Sequence, residues 1–187
     1  MYDLLISNAK IFDGLGSEPF AGQLAVKDGR IAAVRRAAEP IDPAQAREHV
    51  DAKGLALMPG IIDNHTHYDA QITWDSALSP SPALGVTTAI IGNCGFTIAP
   101  CRPADRELVM RNLTQVEGMS LDVLRQGIRW DFESIPQYMA MLDRQGTAVN
   151  IAAFAGHSSL RTWVMGEDAP KRIATAAEVQ EMKRLLL

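Results

Sequence analysis

Residues 59–67 read PGIIDNHTH and place two histidines directly after an apolar stretch. The apolar run Leu55–Ile62 lacks alternation, which predicts a strand buried on both faces, as in parallel sheets covered by helices. Residues two apart on a strand point to the same side, so His65 and His67 can converge on one point. Two imidazoles at that spacing suit a divalent transition metal such as zinc, and barrel enzymes place their sites at strand ends. The alternative is a pair of polar residues in a surface loop.

Two further apolar runs, 86–91 and 148–154, are also each followed by a polar turn that contains glycine. The first turn, Gly92-Asn93-Cys94-Gly95, offers Cys94 as a thiolate ligand for the same metal, although a buried cysteine is more often an apolar filler. The glycines beside it allow a close approach of the backbone. The second turn, Gly156-His157-Ser158-Ser159, offers His157 as a metal or substrate contact, or as a loop histidine bonded to a neighbouring serine.

Two carboxylates flank the histidine pair. Asp63 and Asp69 could each orient an imidazole N–H, the usual partner of a ligating histidine. Asp63 could equally serve as a hydrogen-bonding residue at the strand end. Cys101, between two prolines, is expected to be inert.

Three helices are predicted in the second part of the chain. Residues 103–117 and 134–145 carry apolar side chains on one face, and the second begins at a capping serine and stops at Gly146. Thr175 and Glu178 form a capping box for the third. Strands and helices in this order predict an α/β fold with parallel strands over residues 56–187.

Residues 1–55 are predicted to be all β. Asp28-Gly29 lies between apolar runs in residues 23–36, which is a strong hairpin signal. Residues 4–11 and 50–57 are further extended segments. Strands this few need another layer to cover them, so this segment is expected to pair with other parts of a longer protein.

Composition restricts the class of protein. The chain has 187 residues, a net charge of -4 and two cysteines. There is no basic stripe for a nucleic-acid partner, no disulfide framework, no secretory signal and no apolar run long enough for a membrane helix. We therefore expect a cytoplasmic protein. The last helix runs into Leu185-Leu186-Leu187 without a cap, and three parallel strands cannot close a barrel, so a fragment of a longer protein is expected.

These motifs resemble the amidohydrolase superfamily, and specifically its N-acyl-D-amino-acid deacylase (D-aminoacylase) branch. The resemblance covers essentially the whole chain, and residues 92–96, GNCGF, are its most specific part. The other matching motifs are PGIIDNHTH at 59–67, GVTT at 85–88, VEGM at 116–119, VNIAA at 149–153, GHS at 156–158 and VMG at 164–166.

The resemblance implies the start of a (β/α)₈ TIM-type barrel preceded by a small β-sandwich segment. It implies one or two zinc ions, with His65, His67 and Cys94 as ligands and Cys94 able to bridge. The further histidine ligands and the general-base aspartate are expected downstream, so residues 1–187 contain no catalytic base and are expected to be inactive alone. The implied reaction cleaves a small N-acyl-D-amino acid into the D-amino acid and a carboxylate, and an oligomer is left open.

Two alternatives remain at this point. A cyclic-amide hydrolase of the dihydroorotase or hydantoinase type shares the His-x-His strand, but a carboxylated lysine is expected there in the place of Cys94. The other alternative is a non-catalytic fragment or scaffold that only binds metal or a partner.

Overall fold

The computed structural model describes all residues 1–187, which divide into two compact units, Met1–Pro59 and Gly60–Leu187. The first unit is a sheet with the order β3-β2-β1-β4, and a short β5 also pairs with β1. β1 pairs antiparallel with β2, while β4 and β5 run parallel to β1. The strands are β1 Tyr2–Ile11, β2 Phe20–Lys27, β3 Arg30–Arg36, β4 Ala46–Asp51 and β5 Ala56–Leu57.

The predicted hairpin of the first unit is present. Asp28 and Gly29 both have positive φ, 52° and 70°, which is the backbone that a tight two-residue hairpin turn needs. Leu5 and Ala25 face each other across β1 and β2 and form the small core with Ile41. β5 pairs with β1, so the sheet continues past residue 55, where the predicted first segment ends.

The second unit is built on a parallel sheet with the order β6-β7-β8. Helices in the connection from β7 to β8 cover it, and their apolar side chains pack with β7 in one core around Ile91, Leu113 and Tyr138. The elements are β6 Ile61–Thr66, β7 Val86–Ile91, β8 Asn150–Ala153, α1 Arg106–Glu117, α2 Leu121–Gly127, α3 Ile135–Gln145, α4 His157–Met165 and α5 Ala176–Leu186.

The three predicted helices are confirmed, and the start of the first differs from the prediction. Residues 103–105 form a 3₁₀ turn that leads into α1. Ser134 and Thr175 cap α3 and α5, and both capping boxes are formed. No helix is long and apolar enough to cross a membrane.

The predicted strand Leu55–Ile62 is wrong. Ala56 and Leu57 belong to the first sheet, and the strand of the second sheet runs Ile61–Thr66, so it continues past the predicted end at Ile62 and includes His65. Pro59-Gly60 lies between the two strands. Residue 60 must be glycine, because a Cβ there would lie 2.0 Å from the Thr87 hydroxyl oxygen on the neighbouring strand. β6, which forms one edge of the sheet, is also largely exposed rather than buried on both faces.

The predicted turn at residues 156–159 is also wrong, because α4 begins at His157. Ser159 is buried inside that helix, where its hydroxyl donates to the Thr97 carbonyl oxygen. The short α2 was not predicted. It begins after Ser120, whose hydroxyl accepts from the backbone N–H of Val123.

Candidate metal centre

The ends of β6 and β7 bring the predicted ligands to the same edge of the sheet. His65 lies in β6 and His67 follows its last residue, while Cys94 lies in the loop after β7. The pairing of Thr66 with Ile91 sets the two strand ends side by side. The side-chain amide of Asn93 donates to the Asn64 carbonyl oxygen at 2.8 Å and ties the loop to β6.

The three side chains converge. One ligand atom from each of His65, His67 and Cys94 lies within 4.8 Å of the others. The Cys94 Sγ and His67 Nδ1 are 3.8 Å apart, and the two imidazole centroids are 5.3 Å apart. A sulfur and a nitrogen bound to one tetrahedral zinc lie about 3.5 Å apart, given Zn–S and Zn–N bonds of about 2.3 and 2.0–2.1 Å. The donor set and its spacing therefore fit a zinc ion with only small movements of the side chains.

The loop that carries Cys94 depends on Gly92. This residue has a φ of +77°, and a Cβ there would lie 2.6 Å from Thr97 Cγ2 and 2.8 Å from the Phe154 carbonyl oxygen. The close backbone approach predicted from the glycines is thus found at Gly92. Gly95 has a φ of +86°, but a Cβ there would be in ordinary van der Waals contact with the nearest atoms, the Cβ and backbone N of His157 at 3.9 Å.

The two cysteines differ in environment. Cys94 is partly exposed at the strand ends, whereas Cys101 is buried in the core. Burial raises the pKa of the Cys101 thiol to about 12, and the nearby Asp105 carboxylate adds to the effect. A thiol held neutral in this way is a poor ligand and nucleophile, as expected for Cys101.

His157 lies beside the Cys94 loop but outside the group of three ligands. It is exposed at the start of α4, and a Cβ on Gly95 would lie 3.9 Å from its own Cβ. The backbone N–H of Ser158 donates to the Gly95 carbonyl oxygen at 2.9 Å. A role for His157 in substrate contact stays a prediction.

Neither predicted aspartate hydrogen-bonds to an imidazole. Asp63 Oδ1 accepts instead from the backbone N–H of His65 at 3.3 Å. Asp69 is buried, its Oδ2 has no hydrogen-bond partner, and burial raises its pKa to about 7. Its backbone carbonyl accepts from the Tyr138 hydroxyl at 2.9 Å.

One acidic residue in the site was not predicted. Glu117 lines a cleft of about 430 Å³ together with Asp63, His65 and His67. Both of its carboxylate oxygens are buried without a hydrogen-bond partner. Burial raises the pKa of Glu117 to about 8, and the Asp69 carboxylate adds to the effect. The motif VEGM at 116–119 contains Glu117 but does not show its burial, which comes from residues that are distant in sequence.

Comparisons with known proteins identify the family and the fold class of this chain. The profile of the amidohydrolase family matches residues 48–187. The N-acyl-D-aspartate deacylase of Alcaligenes xylosoxydans xylosoxydans is 36% identical over 98% of this chain and 34% of its own length. An N-acyl-D-glutamate deacylase from Bordetella bronchiseptica, solved with zinc and a phosphonate inhibitor, is 34% identical with a TM-score of 0.75, over 99% of this chain and 35% of that one.

A solved D-aminoacylase with a binuclear metal centre is 33% identical, with a TM-score of 0.78, over 99% of this chain and 35% of that one. The chain thus spans about a third of the length of the relatives it matches. The resemblance to the N-acyl-D-amino-acid deacylases is confirmed, as is the fold class, the first part of an amidohydrolase α/β barrel after a small all-β segment. From its sequence and its fold, this chain belongs to the amidohydrolase family.

Proposed function

We propose that this chain carries part of the zinc centre of an enzyme that hydrolyses N-acyl-D-amino acids to the D-amino acid and a carboxylate. The observation that carries the proposal is the convergence of His65, His67 and Cys94 within 4.8 Å at the strand ends. The similarity to deacylases over nearly the whole chain supports this substrate class. A cysteine in the third ligand position favours it over a cyclic-amide hydrolase, where a carboxylated lysine is expected.

Each residue has a distinct part in the proposal. His65 and His67 supply neutral nitrogens and Cys94 supplies a thiolate, which can be shared between two ions. These three residues would supply part of the coordination of one or two zinc ions, and the further histidine ligands are expected outside residues 1–187. When bound, zinc lowers the pKa of a coordinated water to about 7 and polarises the scissile carbonyl.

The proposal gives Asp63 an orienting role and His157 a substrate-binding role. Asp63 fixes the backbone at His65, and exposed His157 is placed to contact a substrate beside the Cys94 loop. We assign the general base to no residue of 1–187. The proposal includes a cytoplasmic location, which the two free thiols of Cys94 and Cys101 support.

The experiment is an assay of the full-length protein for zinc content and for release of D-amino acid from N-acyl-D-amino acids. N-acyl-L-amino acids are the substrate control. Cys94→Ala is expected to abolish turnover and to lower the zinc content. Cys101→Ala, the matched control on the buried thiol, is expected to keep both.

Three results would contradict the proposal. Full turnover by Cys94→Ala would show that the reaction does not need the Cys94 thiolate. Hydrolysis of dihydroorotate or hydantoins, without hydrolysis of N-acyl-D-amino acids, would favour the cyclic-amide alternative. Zinc binding without turnover of either substrate class would favour the scaffold.

A further inference from the structure

Glu117 occupies a position with no role in the proposed ligand set. It is the last residue of α1 and is followed by Gly118, which ends the helix with a φ of 66°. Its side chain lines the cleft that His65 and His67 also line, and both carboxylate oxygens are buried there without a hydrogen bond.

Every local interaction disfavours a carboxylate at this position. Burial without a donor penalises the charged form, and the nearby Asp69 carboxylate repels it. The end of a helix carries partial negative charge, which adds repulsion. No lysine, arginine or histidine forms an ion pair with Glu117. A glutamate here therefore costs stability, which points to a role in function.

The candidate ligands His65 and His67 each carry a ring N–H, and Glu117 lacks such a hydrogen-bond donor. An imidazole that gives one nitrogen to a metal keeps a hydrogen on the other, and ligating histidines almost always donate it to an acceptor. Among the carboxylates that line this cleft, Asp63 is already bonded to the backbone of His65. Asp69 lines a separate small pocket with Thr97 and Tyr138. Asp63 differs from Glu117 in having a partner for one oxygen, whereas both oxygens of Glu117 are buried without a hydrogen bond.

We propose that Glu117 is a positioning residue of the metal centre, whose carboxylate accepts the ring N–H that one of the two histidines keeps on binding zinc. This inference rests on the proposed zinc centre. The bond fixes the orientation and tautomer of that imidazole and raises its basicity, so it strengthens metal binding without contact between Glu117 and the metal.

The test is the zinc affinity of the full-length protein, measured by competition with a chromophoric chelator. Glu117→Gln keeps the shape but replaces the carboxylate by a weaker acceptor, and Glu117→Met removes the acceptor. We expect the affinity to fall about 10- to 100-fold in Glu117→Met, with a smaller fall in Glu117→Gln. Glu107→Gln is the matched control, because Glu107 lies on the same helix but is only partly buried and is paired with Arg125. This variant is expected to bind zinc as the wild type does.

A second measurement separates positioning from a general structural effect. In zinc-loaded protein with ¹⁵N-labelled histidine, Glu117→Gln is expected to move the ring N–H proton of one histidine of the pair upfield, and Glu107→Gln to move neither. Thermal unfolding of each metal-free variant verifies that it is folded. Unchanged zinc affinity and ring resonances in both Glu117 variants overturn the inference. If the wild type binds no zinc, or binds it independently of Cys94, the proposed function fails with it.

Discussion

The loop that carries Cys94 gives the sharpest stability prediction, the replacement Gly92→Ala. The added Cβ would meet the Phe154 carbonyl oxygen at 2.8 Å and Thr97 Cγ2 at 2.6 Å. The first contact is with backbone, and the N–H of Phe154 is bonded to the Ile91 carbonyl oxygen at 3.0 Å, so the carbonyl cannot retreat without straining that bond. Gly95→Ala, in the same loop, is the matched control because nothing lies closer than 3.9 Å to its Cβ.

Both replacements place a side chain at positive φ, but only Gly92→Ala also overpacks its surroundings. Both residues have positive φ, and a side chain in that conformation costs about 1–2 kcal/mol. Overpacking adds about 1–3 kcal/mol for Gly92→Ala alone. We therefore expect a loss of about 2–5 kcal/mol for Gly92→Ala against about 1–2 kcal/mol for Gly95→Ala, the sum of these two effects.

Urea unfolding followed by tryptophan fluorescence measures this difference. All three tryptophans lie in the unit Gly60–Leu187, so their emission reports the unit that contains the loop. Equal losses for the two replacements would refute the close approach at Gly92 as the reason for its glycine.

Three further predictions concern single interactions. Tyr138→Phe leaves the buried Asp69 carbonyl without its hydroxyl donor and is expected to cost about 1–3 kcal/mol in urea unfolding. Folding raises the pKa of Glu117 from 4.5 to about 8, so the unfolded chain loses this proton at a lower pH than the folded protein does. The free energy of unfolding of the metal-free protein should therefore fall as the pH rises from about 4.5 to 8. Glu117→Gln should make that decline shallower in unfolding curves at a series of pH values, although Asp69 still contributes in the same direction. Arg172 lowers the pKa of Glu178 to about 2, and Arg172→Ala should return this pKa towards 4.5 in an NMR titration, while an unchanged value would show that the ion pair is not formed in solution.

The candidate ligands could be predicted from the sequence because each lies directly after an apolar run that forms a strand. An apolar run followed by His65 or Cys94 predicts a strand end with a ligand, and both side chains are found there. The bounds of β6 were wrong because hydrophobicity alone does not show that Pro59-Gly60 interrupts the run. Residues 156–159 are predicted as a turn because Gly and Ser are typical of turns, and the sequence does not show the hydrogen bond between Ser159 and Thr97 that places Ser159 inside α4. The burial of Glu117 likewise depends on how α1 packs near β6.

The pairing of β6 with β7 links metal binding to folding. His67 and Cys94 are 27 residues apart and meet only when Thr66 and Ile91 are in register. An unpaired chain thus offers separate donors of low affinity, and a zinc ion bound by both strands acts as a clamp between them. Free zinc at 100 times its dissociation constant would stabilise the paired state by about 2.7 kcal/mol. The metal would then protect the exposed edge strand β6 from detachment. Removal of zinc by a chelator should therefore increase the hydrogen-exchange rates of the backbone amides of β6 more than those of β1 in the other unit.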